Sequence, residues 1–266
     1  MQKPYQEVVV EGKWGSLEES FDDDEGFSIS CPVMTVAGDN AFHIAVHSKS
    51  EQPLKHLLER VANSDHMFAS VLYTTNAYDN TVLHEAAINH NIKAVKLLVG
   101  GRYVTNEQLL ERNKSGQTPL FKAAAFGSTK VVKYLASQPH QTIASADYKK
   151  LGEAHRIKDE GFSILHAAVQ GEHFGTALEL LKLDQGLANL NTTNGMTSLH
   201  LLTNLRYAFT NKFSGHLGLR LLYHCIPTGD DNYDDADNIF DSEVDQNDGE
   251  VGDNQNPSPQ GNISKG

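Results

Sequence analysis

One pattern returns five times along the chain: Gly38-Asp39-Asn40-Ala41-Phe42-His43-Ile44-Ala45, Asp79-Asn80-Thr81-Val82-Leu83-His84-Glu85-Ala86, Gly116-Gln117-Thr118-Pro119-Leu120-Phe121-Lys122-Ala123, Gly161-Phe162-Ser163-Ile164-Leu165-His166-Ala167-Ala168 and Gly195-Met196-Thr197-Ser198-Leu199-His200-Leu201-Leu202. The histidine slot falls at positions 43, 84, 121, 166 and 200, so the steps are 41, 37, 45 and 34 residues. A unit of about 33–34 residues with loop insertions fits that spacing, and a fixed period of this kind marks a repeat architecture.

Each piece of the pattern has a local physical reason. Asn40, Thr81, Thr118, Ser163 and Thr197 are side chains that accept from the open N–H groups of a first helical turn. Pro119 follows Thr118 at the first helical position, where its missing N–H costs nothing. Two residues after each cap stands a large apolar side chain (Phe42, Leu83, Leu120, Leu165, Leu199). Five after it come Ala45, Ala86, Ala123 and Ala168, small enough for close helix packing, with Leu202 as the exception. A second amphipathic pattern follows: Leu54, Leu57, Leu58 and Val61; Val95, Leu97 and Leu98; Val131, Val132 and Leu135; Ala177, Leu178, Leu180 and Leu181. Each unit therefore reads as helix, turn, helix and a polar loop. No such unit buries its own apolar face, so the units must stack into an all-α solenoid.

The pattern resembles the ankyrin repeat, with Gly116-Gln117-Thr118-Pro119-Leu120 its cleanest match. The runs Gly161–Glu172, Ala177–Leu181 and Asn194–His200 look like plant ankyrin–transmembrane proteins that carry a C-terminal PGG domain. Leu217–Pro227 resembles the segment closing their first repeat block, and Glu11-Gly12-Lys13-Trp14 its opening. The resemblance covers roughly residues 5–227. It implies plant defence or stress signalling, with full-length relatives anchored in the plasma membrane and their repeats in the cytosol. The expected organisation is a degenerate N-terminal repeat or cap over 1–35 (Trp14, Leu17, Phe21), an ankyrin domain of five repeats over 36–227, and a tail over 228–266.

Charge separates the tail from the rest. The chain has 266 residues, 22 Lys+Arg against 34 Asp+Glu, and a net charge of −12. Residues 227–266 hold eleven acids and one base, so −10 of that charge lies there and only −2 in residues 1–226. This stretch is also poor in large apolar residues after Phe240, and its composition predicts a disordered acidic tail. An acidic balance without clustered cations argues against nucleic acid and anionic membranes. No apolar run reaches the ~20 residues of a membrane span, so no direct insertion is expected, and the usage of only two cysteines fits a reduced cytosolic setting. Cys31 and Cys225, the only cysteines, make no disulfide framework and no zinc quartet.

Catalytic and metal readings find little to stand on. Thirteen histidines invite a metal, yet four occupy the template slot, where an imidazole ties the turn to the helix, and Phe121 fills the fifth. His84-Glu85-Ala86-Ala87-Ile88 opens like the zincin H-E-x-x-H but ends in Ile. No nucleophile elbow, phosphate loop or dinucleotide fingerprint occurs, and Asp22-Asp23-Asp24-Glu25 lacks the spacing of a calcium loop. No enzyme and no cofactor is expected.

What the resemblance offers is a surface. Carried over by position, the concave groove would be lined by Asp39, His47 and Ser48; Tyr78, Asn80 and Asn89; Lys114, Gln117 and Phe126; Glu160, Phe162 and Gln170; Asn194 and Met196. Tyr78, Phe126, Phe162 and Met196 are the expected anchors, since aromatic and Met side chains dominate interfaces. The expected role is a protein-interaction module whose partners are other proteins. The alternative is a truncated soluble regulator or decoy of a membrane-anchored ankyrin assembly. It would pair with full-length relatives through the edge of the last repeat, where Leu217, Leu221 and Leu222 lie.

Overall fold

All five expected N-caps open a helix. In the computed structural model, which describes residues 14, 35–48, 50–62, 72–139, 141–144, 149–158 and 161–205, the inner helices are α1 (Ala41–Ala45), α3 (Val82–Ile88), α5 (Pro119–Ala125), α8 (Ile164–Gln170) and α10 (Ser198–Asn204). Asn40, Thr81, Thr118, Ser163 and Thr197 each accept from the backbone N–H three residues on, at 3.1–3.4 Å. The outer helices are α2 (Gln52–Ala62), α4 (Ile92–Gly100), α6 (Thr129–Ala136) and α9 (Phe174–Leu183).

Each inner helix packs against the next, α1 on α3, α3 on α5, α5 on α8 and α8 on α10, while α4, α6 and α9 form the second layer. The core is one continuous cluster running through the repeats, from Phe42 and Leu54 to Leu180 and Leu202. Full burial of such side chains contributes roughly 1.5–3 kcal/mol each. The chain is thus an all-α stack among the described residues, with one exception the sequence did not announce. The long step between the third and fourth repeats holds a two-stranded antiparallel ribbon, β1 (Thr142–Ala144) with β2 (Lys149–Leu151), and a short helix α7 (Glu153–Arg156).

The loops between repeats share a device built on a position eight residues before the histidine slot. Asn76 and Asn113 accept through Oδ1 from the N–H groups of Asn80 and Gln117, and Thr35 and Thr192 accept through Oγ1 from those of Asp39 and Met196. Each of these four closes a tight finger whose tip needs a left-handed residue, Gly38, Asp79, Gly116 or Gly195, and Gly161 holds the same conformation in the fourth loop, with φ between 56° and 80° across the five. At Gly161 an added Cβ would meet only ordinary contacts, the nearest being Thr193 N at 3.4 Å. Gly161→Ala should therefore cost about 1–2 kcal/mol from backbone strain alone. The urea midpoint checks this; an unchanged midpoint would contradict the assignment.

The N-terminal repeat or cap expected around Leu17 and Phe21, the acidic tail, and Leu217, Leu221 and Leu222 lie outside the described residues. Trp14 is described; it is half-buried and packs against the core.

Candidate functional site

The template histidine is a structural tie between repeats. His84 Nδ1 receives the N–H of Thr81 at 3.1 Å, which leaves the ring proton on Nε2, and Nε2 donates to the carbonyl of Gln117 at 2.9 Å. His43 reaches the carbonyl of Asn80 at 3.0 Å and His166 that of Met196 at 3.0 Å in the same way. Each acceptor is the residue just before the next repeat's cap. Burial lowers all three imidazoles from their ordinary value, His84 to about 4, so they stay neutral donors near pH 7.

Phe121 leaves the third repeat without this tie, and the insertion supplies a substitute. His155 of α7 sets Nδ1 2.9 Å from Thr118 Oγ1 and Nε2 2.6 Å from Gln141 Oε1. It is fully buried, and desolvation, with the Arg112 charge adding to it, lowers its pKa to about 4. Sequence reading passed over His155 because its partners stand 37 and 14 residues away, in no repeated register.

The face made by finger tips and inner helices divides into two chemically different halves. Over the first two repeats it is a closed polar network. Thr35 donates to Asp39, Asn76 Nδ2 bridges Asp39 Oδ1 and Glu85 Oε1 at 2.9 and 3.0 Å, Asn80 Nδ2 donates to Glu85 Oε1 at 2.8 Å, and Asn113 Nδ2 to Asn80 Oδ1 at 2.7 Å. His47 Nε2 lies 3.8 Å from Glu85 Oε2 and 3.4 Å from Asn89 Nδ2. Asn80, expected on the surface, is only 4% exposed. That expectation is corrected: Glu85 and Asn113 draw its amide inward, so Asn80 is a link in the network.

Over the third and fourth repeats the face turns cationic and aromatic. Lys122 Nζ stands 5.3 Å from the ring centre of Phe126, and Lys158 Nζ stands 5.2 Å from that of Phe162. Phe126 is 42% exposed; Phe162 is half-buried, tilted against His166 with ring centres 5.3 Å apart. Desolvation lowers the Lys122 pKa, the like charge of Lys158 adds to the shift and Glu85 opposes it. Lysines held over aromatic faces keep rings presented while leaving charge at the surface.

The other expected residues scatter along this face. Tyr78 is exposed at the second finger tip, beside Lys114, whose N–H donates to the Tyr78 carbonyl at 3.1 Å and whose Nζ donates to that of Ala77 at 2.7 Å. Ser48 uses its hydroxyl to accept from Ser50 and its carbonyl to accept from Asn91. Gln117 and Met196 are half-buried and lend their carbonyls to the histidine ties. Gln170 and Asn194 are exposed, while Glu160 lies outside the described residues. The position after the histidine slot, occupied by Glu85 and Lys122, was missed as part of this face, although the register itself repeats and could have nominated it.

No set of three or more His, Cys, Asp or Glu side chains converges to hold an ion among the described residues. Among them, too, no helix is long and apolar enough to cross a membrane.

Residues 42–147 match the family model described as "Ankyrin repeats (3 copies)". These are ankyrin repeats. The ankyrin stack extends past the matched span, since α8 and α10 repeat the same cap and register. Over 158 residues, 58% of the chain, the sequence is 30% identical to Protein ACCELERATED CELL DEATH 6 of Arabidopsis thaliana. The matched stretch spans 22% of that protein's length. Ankyrin repeats are protein-interaction modules, and the chain carries one.

Proposed function

We propose that the chain works without chemistry, as a rigid interaction module that presents a concave ankyrin groove to another protein in plant defence, stress or cell-death signalling. The supporting observation is the change of character along the groove. A satisfied polar network stiffens the first half, and Phe126 and Phe162, each beneath a lysine, offer unspent apolar surface in the second. The signalling context rests on the likeness to Protein ACCELERATED CELL DEATH 6. We place the module at residues 36–227, with a cap over 1–35 and an acidic tail over 228–266, in the cytosol.

Asp39, His47, Ser48, Tyr78, Asn89, Lys114, Gln117, Phe126, Glu160, Phe162, Gln170, Asn194 and Met196 define the proposed surface, with Lys122 and Lys158 added to it. The double variant Phe126→Ala, Phe162→Ala should weaken partner binding by about 2 kcal/mol or more, roughly thirtyfold, with helical content retained by circular dichroism. Recovery of the same partners at the same yield by wild type and variant from the native tissue would remove this site.

A further inference from the structure

Two lysines of the groove hold charge that no described carboxylate answers. Lys55, Lys93, Lys133, Lys150 and Lys182 each stand 2.7–3.9 Å from a carboxylate oxygen. Among the described residues Lys122 and Lys158 have no such partner, and each lies over a phenylalanine ring instead. Lys96 and Lys130 also lack a carboxylate, but both are exposed and water solvates them, whereas Lys122 and Lys158 are half-buried. A half-buried ammonium loses hydration, and a ring face returns only part of it. Desolvation is the main cause of the lowered Lys122 pKa, and the like charge of Lys158 reaches the same group. The acids of this face are already engaged. Glu85 Oε1 accepts from Asn76 and Asn80, and Asp39 accepts from Thr35 and Asn76. Neither α5 nor α8 carries an acid.

We propose that the second half of the groove recognises an acidic segment of its protein partner, with an Asp or Glu side chain set against Lys122 and Lys158 and an apolar neighbour on Phe126. This names the chemistry of the partner and rests on the interaction reading above. Charge complementarity selects the occupant: a carboxylate restores to the two ammonium groups what burial takes from their hydration. Phe126, 42% exposed beside Lys122, supplies the apolar contact. Lysine suits this role, since its compact ammonium has three rotatable donors and needs no fixed fork geometry. Two cations are too few for a nucleic-acid track or an anionic lipid surface, which call for clusters.

The test selects a random short-peptide display library on the immobilised 266-residue chain and titrates the recovered peptides as synthetic probes. These should carry Asp or Glu beside an apolar residue. The double variant Lys122→Gln, Lys158→Gln should bind them at least about tenfold more weakly and with a flatter salt dependence. Lys122→Arg, Lys158→Arg keeps both charges and should retain most of the binding, and circular dichroism checks that both variants fold. Changing the peptide's Asp or Glu to Asn or Gln should cost as much in wild type and nothing further in the Lys→Gln variant. Recovery of no acidic peptide would overturn the inference. Acid-free peptides bound equally by the Lys→Gln variant but lost with Phe126→Ala, Phe162→Ala would also overturn it, while leaving the groove in place. Peptides held as in wild type by both the Lys and the Phe variants would remove the groove as well. Self-association abolished by Lys122→Gln, Lys158→Gln would make a second copy the occupant and overturn the choice of a separate partner.

Discussion

Asp184→Ala should destabilise the chain by about 3–5 kcal/mol, the cost of stranding a buried charge. Asp184 caps the end of α9 with its side chain 3% exposed, and Oδ2 lies 2.9 Å from Arg156 Nε, itself 9% exposed. The guanidinium N–H is not aligned with that oxygen, so the contact is an ion pair more than a hydrogen bond. The same carboxylate oxygen accepts the N–H of Leu151 at 3.2 Å, and Leu151 is fully buried. One side chain therefore clamps both the ribbon and α7 of the insertion onto the fourth repeat. Among the described residues its removal leaves Arg156 only Glu153, at 3.4 Å, whose side chain is 67% exposed and screened by water. Arg cannot escape by losing its proton. Arg156→Met in the Asp184→Ala background should recover part of the loss, because the stranded charge is gone. Urea midpoints of the two single variants and the double variant complete the cycle. A loss below about 1 kcal/mol for Asp184→Ala, or a double variant no better than the single, would show that the clamp carries little.

That clamp was invisible in the sequence, while the frame it holds was legible. Caps, the apolar residue two positions on, and the small residue two after the histidine slot follow from hydrogen bonding and size within little more than one turn of helix. Such local rules place α1, α3, α5, α8 and α10 without knowledge of the rest. The insertion obeys no local rule. Leu151, His155 and Arg156 are ordered by Asp184, Gln141 and Thr118, which come from three different stretches of chain. A histidine missing from the template at Phe121 marked a gap but not its filling. The groove was half legible for a related reason. Position in the repeat correctly puts Tyr78 and Phe126 in solvent, but the burial of Asn80 depends on a carboxylate, Glu85, whose identity varies from repeat to repeat. The pairing of Lys122 with the Phe126 ring and of Lys158 with the Phe162 ring, by contrast, joins residues only four apart, a spacing the sequence itself carries.

Acid should loosen this stack well before the carboxylates titrate. Burial lowers the imidazoles of His43, His84, His155 and His166, with His84 and His155 brought to about 4 from an ordinary 6.5. Between those values the unfolded chain binds protons that the folded chain refuses, so stability rises with pH across the window. The contribution is complete above about pH 7, is lost as pH falls from 6.5 toward 4, and changes no further below the folded values. For His84 and His155 it amounts to roughly 2–3 kcal/mol each, against a typical total of 5–15 kcal/mol for a domain. A cause is visible at each ring. Protonating Nδ1 of His84 would set an N–H against the N–H of Thr81, and Lys122 and His43 would add like charge. His155 would gain its charge in full burial with Arg112 as a repelling neighbour. Urea midpoints from pH 7.5 to 5 should therefore fall steeply at constant ionic strength, before ordinary Asp and Glu begin to take up protons. His155→Phe should flatten part of that slope, because the hydrophobic ring removes the titrating group from its site. A midpoint independent of pH down to 5 would show that these histidines take up protons in the folded chain as readily as in the unfolded one and that the ties between repeats are not neutral hydrogen bonds.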